Sequence, residues 1–222
     1  IQTFKNTEDE IYVPSGYFHF GLKEHHRTIN DSEYQFKYLD EFYIDKYEVS
    51  NEEFINKSKN EQLKDKLKKF NKKLPVTGIS YFEAEKFCKE NGKRLPSEEE
   101  WEKALKFKYY SRYPWGNSFP SCNKINFNGE KGIGCGQKIR QQDITDHGNL
   151  TIETDQLKKG NSILGVHNLS GNVWEFVKSN NNDAIAKGGS WSSELIRVHS
   201  ASRYILSKDA SFGHVGFRCA RN

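Results

Sequence analysis

Among its 222 residues the chain has no methionine, only five prolines and four cysteines, and no apolar run of the ~18 residues that a membrane span needs. The last absence excludes a helical membrane protein, while attachment by a lipid anchor stays open. With no methionine and Ile1 at its head, the chain is expected to be a processed or trimmed product whose targeting signal is gone. A dominant charge is missing too. The 34 Lys and Arg against 30 Asp and Glu leave +4, too balanced for a nucleic-acid binder. Hydrophobic residues reach only 35%, with mean hydropathy −0.87. Rings fill the gap: 15 Phe, 11 Tyr and 4 Trp. Each ring buries a large area, so a core built from aromatics is expected, and the composition argues against disorder.

The chain divides into a patterned first half and an irregular second half. Residues 1–50 read as strands: two short runs within Ile11–Gly21 flank a Pro-Ser-Gly turn, and Tyr38–Val49 reads as a second aromatic strand. Three hydroxyl residues each precede a Glu by three positions, the pattern of a helix capping box. They are Ser50 with Glu53, Ser80 with Glu83, and Ser97 with Glu100. The helices they open turn inward Phe54 and Ile55, then Ala84, Phe87 and Cys88, then Trp101, Ala104 and Leu105, and the second ends at Asn91-Gly92. The run 57–73 mixes Lys with acids and reads as a solvated, charged helical excursion within a single domain of 1–222. From Ser111 onward Gly, Asn, Ser and aromatics dominate without helical periodicity. Such a stretch needs tethering by disulfides, ions or side-chain hydrogen bonds.

Common catalytic signatures are missing. No cysteine lies in a C-x-x-C, which argues against zinc. Gly132-Ile133-Gly134-Cys135-Gly136 lacks the lysine and helix of a phosphate loop. Ser193 and His199 lack the elbow and orienting acid of a hydrolase. Glu24-His25-His26 is a poor metal site, because successive side chains diverge. Cys122 and Cys135 are close enough in sequence to staple the loop between them.

Seven segments, in order, resemble the formylglycine-generating enzyme (sulfatase-modifying factor) family. They are Phe42–Asn51, Pro75-Val76 with Ile79–Tyr81, Gly92–Glu102, Tyr113–Asn117, Leu169–Phe176, Lys187–Trp191 and Gly216–Ala220. The resemblance implies an α+β fold, a variant of the C-type lectin fold with short helices around small antiparallel sheets. It also implies a Cys88–Cys219 disulfide beside Cys122–Cys135; four free thiols are the alternative. Arg94 and Arg218 read as structural, each paired with a carboxylate or carbonyl of the irregular half.

The family's oxidases hold copper on two thiols after the Gly-Gly-Ser-aromatic segment. Residues 192–203 contain no cysteine here, and Ser193 takes the first matching position. A hydroxyl is no soft ligand, so copper and the formylglycine-forming reaction are not expected. Calcium is: Asn172 and Glu175 match one family site, and Asn126, the Phe127 carbonyl and Asp146 resemble a second. The alternative is a left-handed Asn172 and a Glu175 bonded to backbone amides. Of three readings, the first is a non-catalytic, exported module, extracellular, periplasmic or on the cell envelope. It would bind a protein or small-molecule ligand through 192–215, with Ser192, Ser193, Arg197, His199, Tyr204 and Phe212 as surface candidates. The rivals are an enzyme of the same fold with non-thiol chemistry and a structural part of an envelope or secretion assembly.

Overall fold

A computed structural model describes residues 7–23, 31–128, 135 and 150–222. Strands β1 (Glu10–Val13) and β2 (Gly16–Phe20) flank the Pro14-Ser15 turn, and β3 (Gln35–Leu39) precedes β4 (Phe42–Asp45). The single strand expected over Tyr38–Val49 is therefore two pieces. β3 pairs with β2, whereas β4 pairs with β1, so the chain changes sheet at the exposed, turn-forming pair Asp40-Glu41. Helices α1 (Asn51–Lys57), α2 (Glu61–Leu67), α3 (Tyr81–Glu90) and α4 (Glu98–Lys106) follow. The second half supplies β5 (Trp174–Val177), β6 (Asp183–Lys187), β7 (Arg203–Ser207), β8 (Val215–Phe217) and β9 (Ala220–Arg221). The sheets run β1-β4-β9, β2-β3 and β7-β6-β5-β8, antiparallel except where β5 meets β8.

The capping residues act as their types dictate. Ser80 and Ser97 each accept from the amide of the Glu three residues on, and Glu83 and Glu100 return the bond. At α1 only the first arm forms, because Glu53 turns its carboxylate to Lys57 instead. α2 lies within 57–73; Leu63 and Leu67 face inward, four residues apart on one side.

Rings hold the core. Phe54 stacks on Phe87 at 4.9 Å, and Phe87 meets Phe217 edge-on at 5.5 Å, joining α1, α3 and β8. Such pairs contribute about 0.5–1.5 kcal/mol beyond their burial. Cys88 of α3 is bonded to Cys219, fixing that helix to the segment between β8 and β9. Cys122 is bonded to Cys135, so all four cysteines are paired.

Glycines admit two close approaches. Gly188, at φ +94°, would carry a Cβ 2.9 Å from the fully buried Trp101 ring. Gly171, at φ +75°, would collide with the Asn126 carbonyl; it leads into Asn172, itself left-handed at φ 61°. This tight turn starts β5 and buries Trp174. No described helix is long and apolar enough to cross a membrane.

Candidate functional site

The six expected surface residues fall into two groups. Ser192, Ser193, Arg197 and His199 lie on the loop between β6 and β7, where Ser192 and Arg197 are exposed. Ser193 and His199 are not surface groups: they are buried at 7% and 1% exposure. The Ser193 hydroxyl is bonded to the Ser190 amide at 2.9 Å, and the Ser190 hydroxyl reaches both Ser192 and Ser193. His199 lies 3.4 Å from buried Asp31, and its hydroxyl neighbour is Ser202 rather than Ser193. These hydroxyls close a turn upon themselves. Nothing there matches a soft, redox-active pair.

Tyr204 and Phe212 form the second group, together with Trp174 and His214. Tyr204 packs against Trp174 at 5.6 Å and His214 at 5.8 Å, and Phe212 stacks on His214 at 5.4 Å. Phe212 is 38% exposed, so this aromatic cluster runs from the core to the surface. Pairing of β5 with β8 assembles it, setting Trp174 opposite Val215. No local signal marks His214, because its partners lie at other points of the chain.

Of the expected calcium ligands, Asp146 lies outside the described residues, as do Glu24, His25 and His26. Glu175 bonds neither backbone amides nor open space. Its two oxygens accept both arms of Arg218 at 2.7 Å, and one also accepts the Trp101 indole N–H at 2.8 Å. A cation on Glu175 would sit against a guanidinium. The Asn172 Oδ1 accepts from Ile152 N and from Asn126 Nδ2, while its amide nitrogen donates to Glu48. Asn126 is different. Its Nδ2 donates to Leu150 O and Asn172, leaving a buried Oδ1 with no partner among the described residues. The neighbouring Phe127 carbonyl accepts from Cys135 N. Asn126 thus leaves one buried amide oxygen unpartnered, whereas both oxygens of Glu175 are already engaged. Among the described residues, no three His, Cys, Asp or Glu side chains converge on a metal position.

Arg218 completes its bonding with the carbonyls of Asp45, Lys46 and His167. Glu48 lies beside this pair, fully buried, held by Asn168 and Asn172. Desolvation, reinforced by the charge of Glu175, pushes its pKa up to about 8. Desolvation and the Arg218 charge push His167 down to about 4. Arg94 also pairs with a carboxylate, but with Glu100 of α4 rather than in the irregular half.

A second buried ionic cluster surrounds α4. The Lys187 ammonium touches Glu98, Glu102 and Ser32; Lys106 bonds Glu102 and Gly21 O; Arg203 holds Glu98 with two nitrogens. Desolvation would raise Glu98, but Lys187 and Arg203 outweigh it and carry its pKa down to about 2.

This arrangement, short helices on small sheets with half the chain irregular, is the formylglycine-generating-enzyme-like variant of the C-type lectin fold. The chain belongs to the sulfatase-modifying factor enzyme 1-like domain family, whose model matches residues 2–222. It is 28% identical over 280 residues to YfmG of Bacillus subtilis (strain 168), covering 100% of this chain and 56% of that protein. It is 30% identical over 158 residues to the inactive C-alpha-formylglycine-generating enzyme 2 of Bos taurus, covering 66% and 50%. The chain thus spans about half the length of these curated relatives. PvdO from Pseudomonas aeruginosa shares the fold at a TM-score of 0.71 and 17% identity, with 99% of this chain and 97% of that one covered.

Proposed function

We propose that this domain is a non-catalytic, exported module that binds a protein or small-molecule ligand through the surface of residues 192–215. The observation that carries this reading is the state of the sulfur and hydroxyl groups. All four cysteines are in disulfides, and the position matching the family's first thiol is Ser193, buried on Ser190. A copper oxidase needs thiols free to bind metal and exchange electrons. The exposed Phe212 and Arg197 supply the aromatic and cationic anchors typical of interfaces. Paired disulfides are the state kept in oxidising compartments, in keeping with export. The direct test incubates the protein with copper, oxygen and a Cys-x-Pro-x-Arg peptide and follows peptide mass. No aldehyde above a heat-killed control is expected; its appearance would overturn the reading.

Calcium belongs to the same proposal, bound on the Asn126 side of the turn with the Asn126 Oδ1 and backbone carbonyls as ligands. The support is the buried, unpartnered Asn126 Oδ1. A ligand of the folded state raises stability by mass action, so melting should rise with calcium and fall with chelator. Asn126→Ala should abolish the shift while Glu175→Gln retains it. An unchanged melt together with no bound metal by elemental analysis would sink the idea.

A further inference from the structure

The run 57–73 builds a cavity. Leu63 and Leu67 of α2 line a 340 Å3 pocket together with Leu74 and Pro75. The three leucines are buried, at 9%, 3% and 4% exposure. This volume sits at the small end of the range for small-molecule sites, which are mostly apolar with a few placed polar groups. Gly78 and Gly213 also line it, and a Cβ added at either would meet no atom within 4 Å. The space is open at both, and the Gly78 amide ties its loop to Phe212 O, beside the exposed aromatic cluster.

Four of the eight lysines of this run fall into two contrasting pairs. Lys64 and Lys68 are paired with Glu61 and Asp65 on the helix surface. Lys66 and Lys69 line the pocket, and neither has a carboxylate partner among the described residues. The Lys69 ammonium lies 5.1 Å from the Phe70 ring, itself part of the lining. A mainly apolar chamber with two exposed lysines in its lining, beside Asn51, Thr77 and Thr151, is complementary to a molecule with a hydrocarbon body and one negative charge.

We infer that this pocket binds a small carboxylic acid, its hydrocarbon tail against Leu63, Leu67 and Leu74 and its carboxylate at Lys66 and Lys69. The inference deepens the binding reading, because Gly213 belongs to the 192–215 surface.

Titration with sodium hexanoate, and with hexanamide as its neutral match, followed by ligand-observed NMR tests it. Hexanoate should bind more tightly than hexanamide, by roughly fivefold if each exposed ammonium adds an ordinary surface ion-pair increment. The preference should shrink as salt rises. Lys66→Gln/Lys69→Gln alters only exposed side chains; it should erase the preference yet leave hexanamide binding intact. Gly213→Phe fills the open space at a residue outside the left-handed region and should abolish binding of both probes, with an unchanged melting temperature confirming its fold. Absence of hexanoate binding, equal binding of the two probes, or full binding to a folded Gly213→Phe would each overturn the proposal. The broader reading is judged separately by partner capture with Arg197→Glu, a residue outside the pocket lining. A protein that loses its partner on that change but takes up no hexanoate refutes the carboxylate site alone.

Discussion

Two buried ionic clusters lie on either side of Trp101, and they are balanced in opposite ways. Around α4, Lys106, Lys187 and Arg203 face Glu98 and Glu102, three cations to two carboxylates. Around the β5–β8 pair, Glu48 and Glu175 share the single guanidinium of Arg218. The carboxylates of both are buried, although Arg203 is 30% exposed, and desolvation raises Glu98 and Glu48 alike. The outcomes diverge to about 2 and about 8 because only the first cluster supplies a cation to each carboxylate. Burial sets the cost of a charge, and stoichiometry decides whether the charge is kept. The first cluster is saturated; the second holds a proton instead of a counter-ion.

The largest expected effect comes from cutting the tether beside the under-compensated cluster. Cys219 follows Arg218, and its bond to Cys88 closes a separation of 131 residues. In the chain-entropy estimate such a bridge contributes about 5 kcal/mol, and the 13-residue separation of Cys122–Cys135 about 3. Cys88→Ser/Cys219→Ser should therefore lose more stability in urea than Cys122→Ser/Cys135→Ser. Peptide mapping without reductant checks the premise, and four alkylatable thiols in the native protein would remove it.

Next in size is the contrast between the clusters themselves. Arg218→Met leaves Glu175 buried with only the Trp101 N–H, beside Glu48, and strips a donor from three carbonyls. Breaking a buried pair this way costs about 3–5 kcal/mol. Lys187→Met leaves each carboxylate a cation, Arg203 for Glu98 and Lys106 for Glu102, so the cost should stay near 1–3 kcal/mol. Equal losses in urea denaturation would break the stoichiometric argument.

How much of this was legible in the sequence depends on how far apart the partners lie. The capping boxes at Ser80 and Ser97 were legible because the pattern is local. The fold was legible because seven short segments kept their order. The ionic clusters were not. Glu102 and Lys106 stand four apart on α4 and read as an ordinary surface pair, yet both are fully buried, and their third member Lys187 is 85 residues away from Glu102. A faint signal existed, a lysine set between Ala184-Ile185-Ala186 and Gly188-Gly189, where the chain packs against Trp101. His199 was misplaced on the surface for the same reason, since its partner Asp31 is far away in sequence; Ser193 was misplaced although its partner Ser190 is three residues away.

The smallest and most discriminating prediction concerns the proton on Glu48. Unfolded, this carboxyl would titrate near 4.5; folded, it holds its proton to about 8. Between those values the folded state binds the extra proton, so stability falls as pH rises, by about 1.4 kcal/mol per unit. His167 has the opposite sign. Its folded value near 4 lies below the unfolded 6.5, so in that window the unfolded state binds more protons and stability rises with pH. His19 and His214 are lowered by burial and act in the same direction. Below pH 6.5 the histidines therefore offset Glu48. Above it the histidines no longer oppose Glu48, whose own contribution should drop by about 2 kcal/mol between pH 6.5 and 8. Glu48→Gln keeps the shape but turns an amide N–H toward one of the two asparagine donors, a fixed penalty of about 1 kcal/mol. It should also erase the alkaline decline; the wild type loses about 1.4 kcal/mol per unit from pH 4.5 upward, which offsets that penalty near pH 5, so the variant should be the sturdier protein throughout pH 6 to 8.5. Urea denaturation at half-unit steps from pH 6 to 8.5 reads both slopes. If the variant keeps the wild-type slope, the proton sits elsewhere, and the second cluster carries its two charges as the first one does.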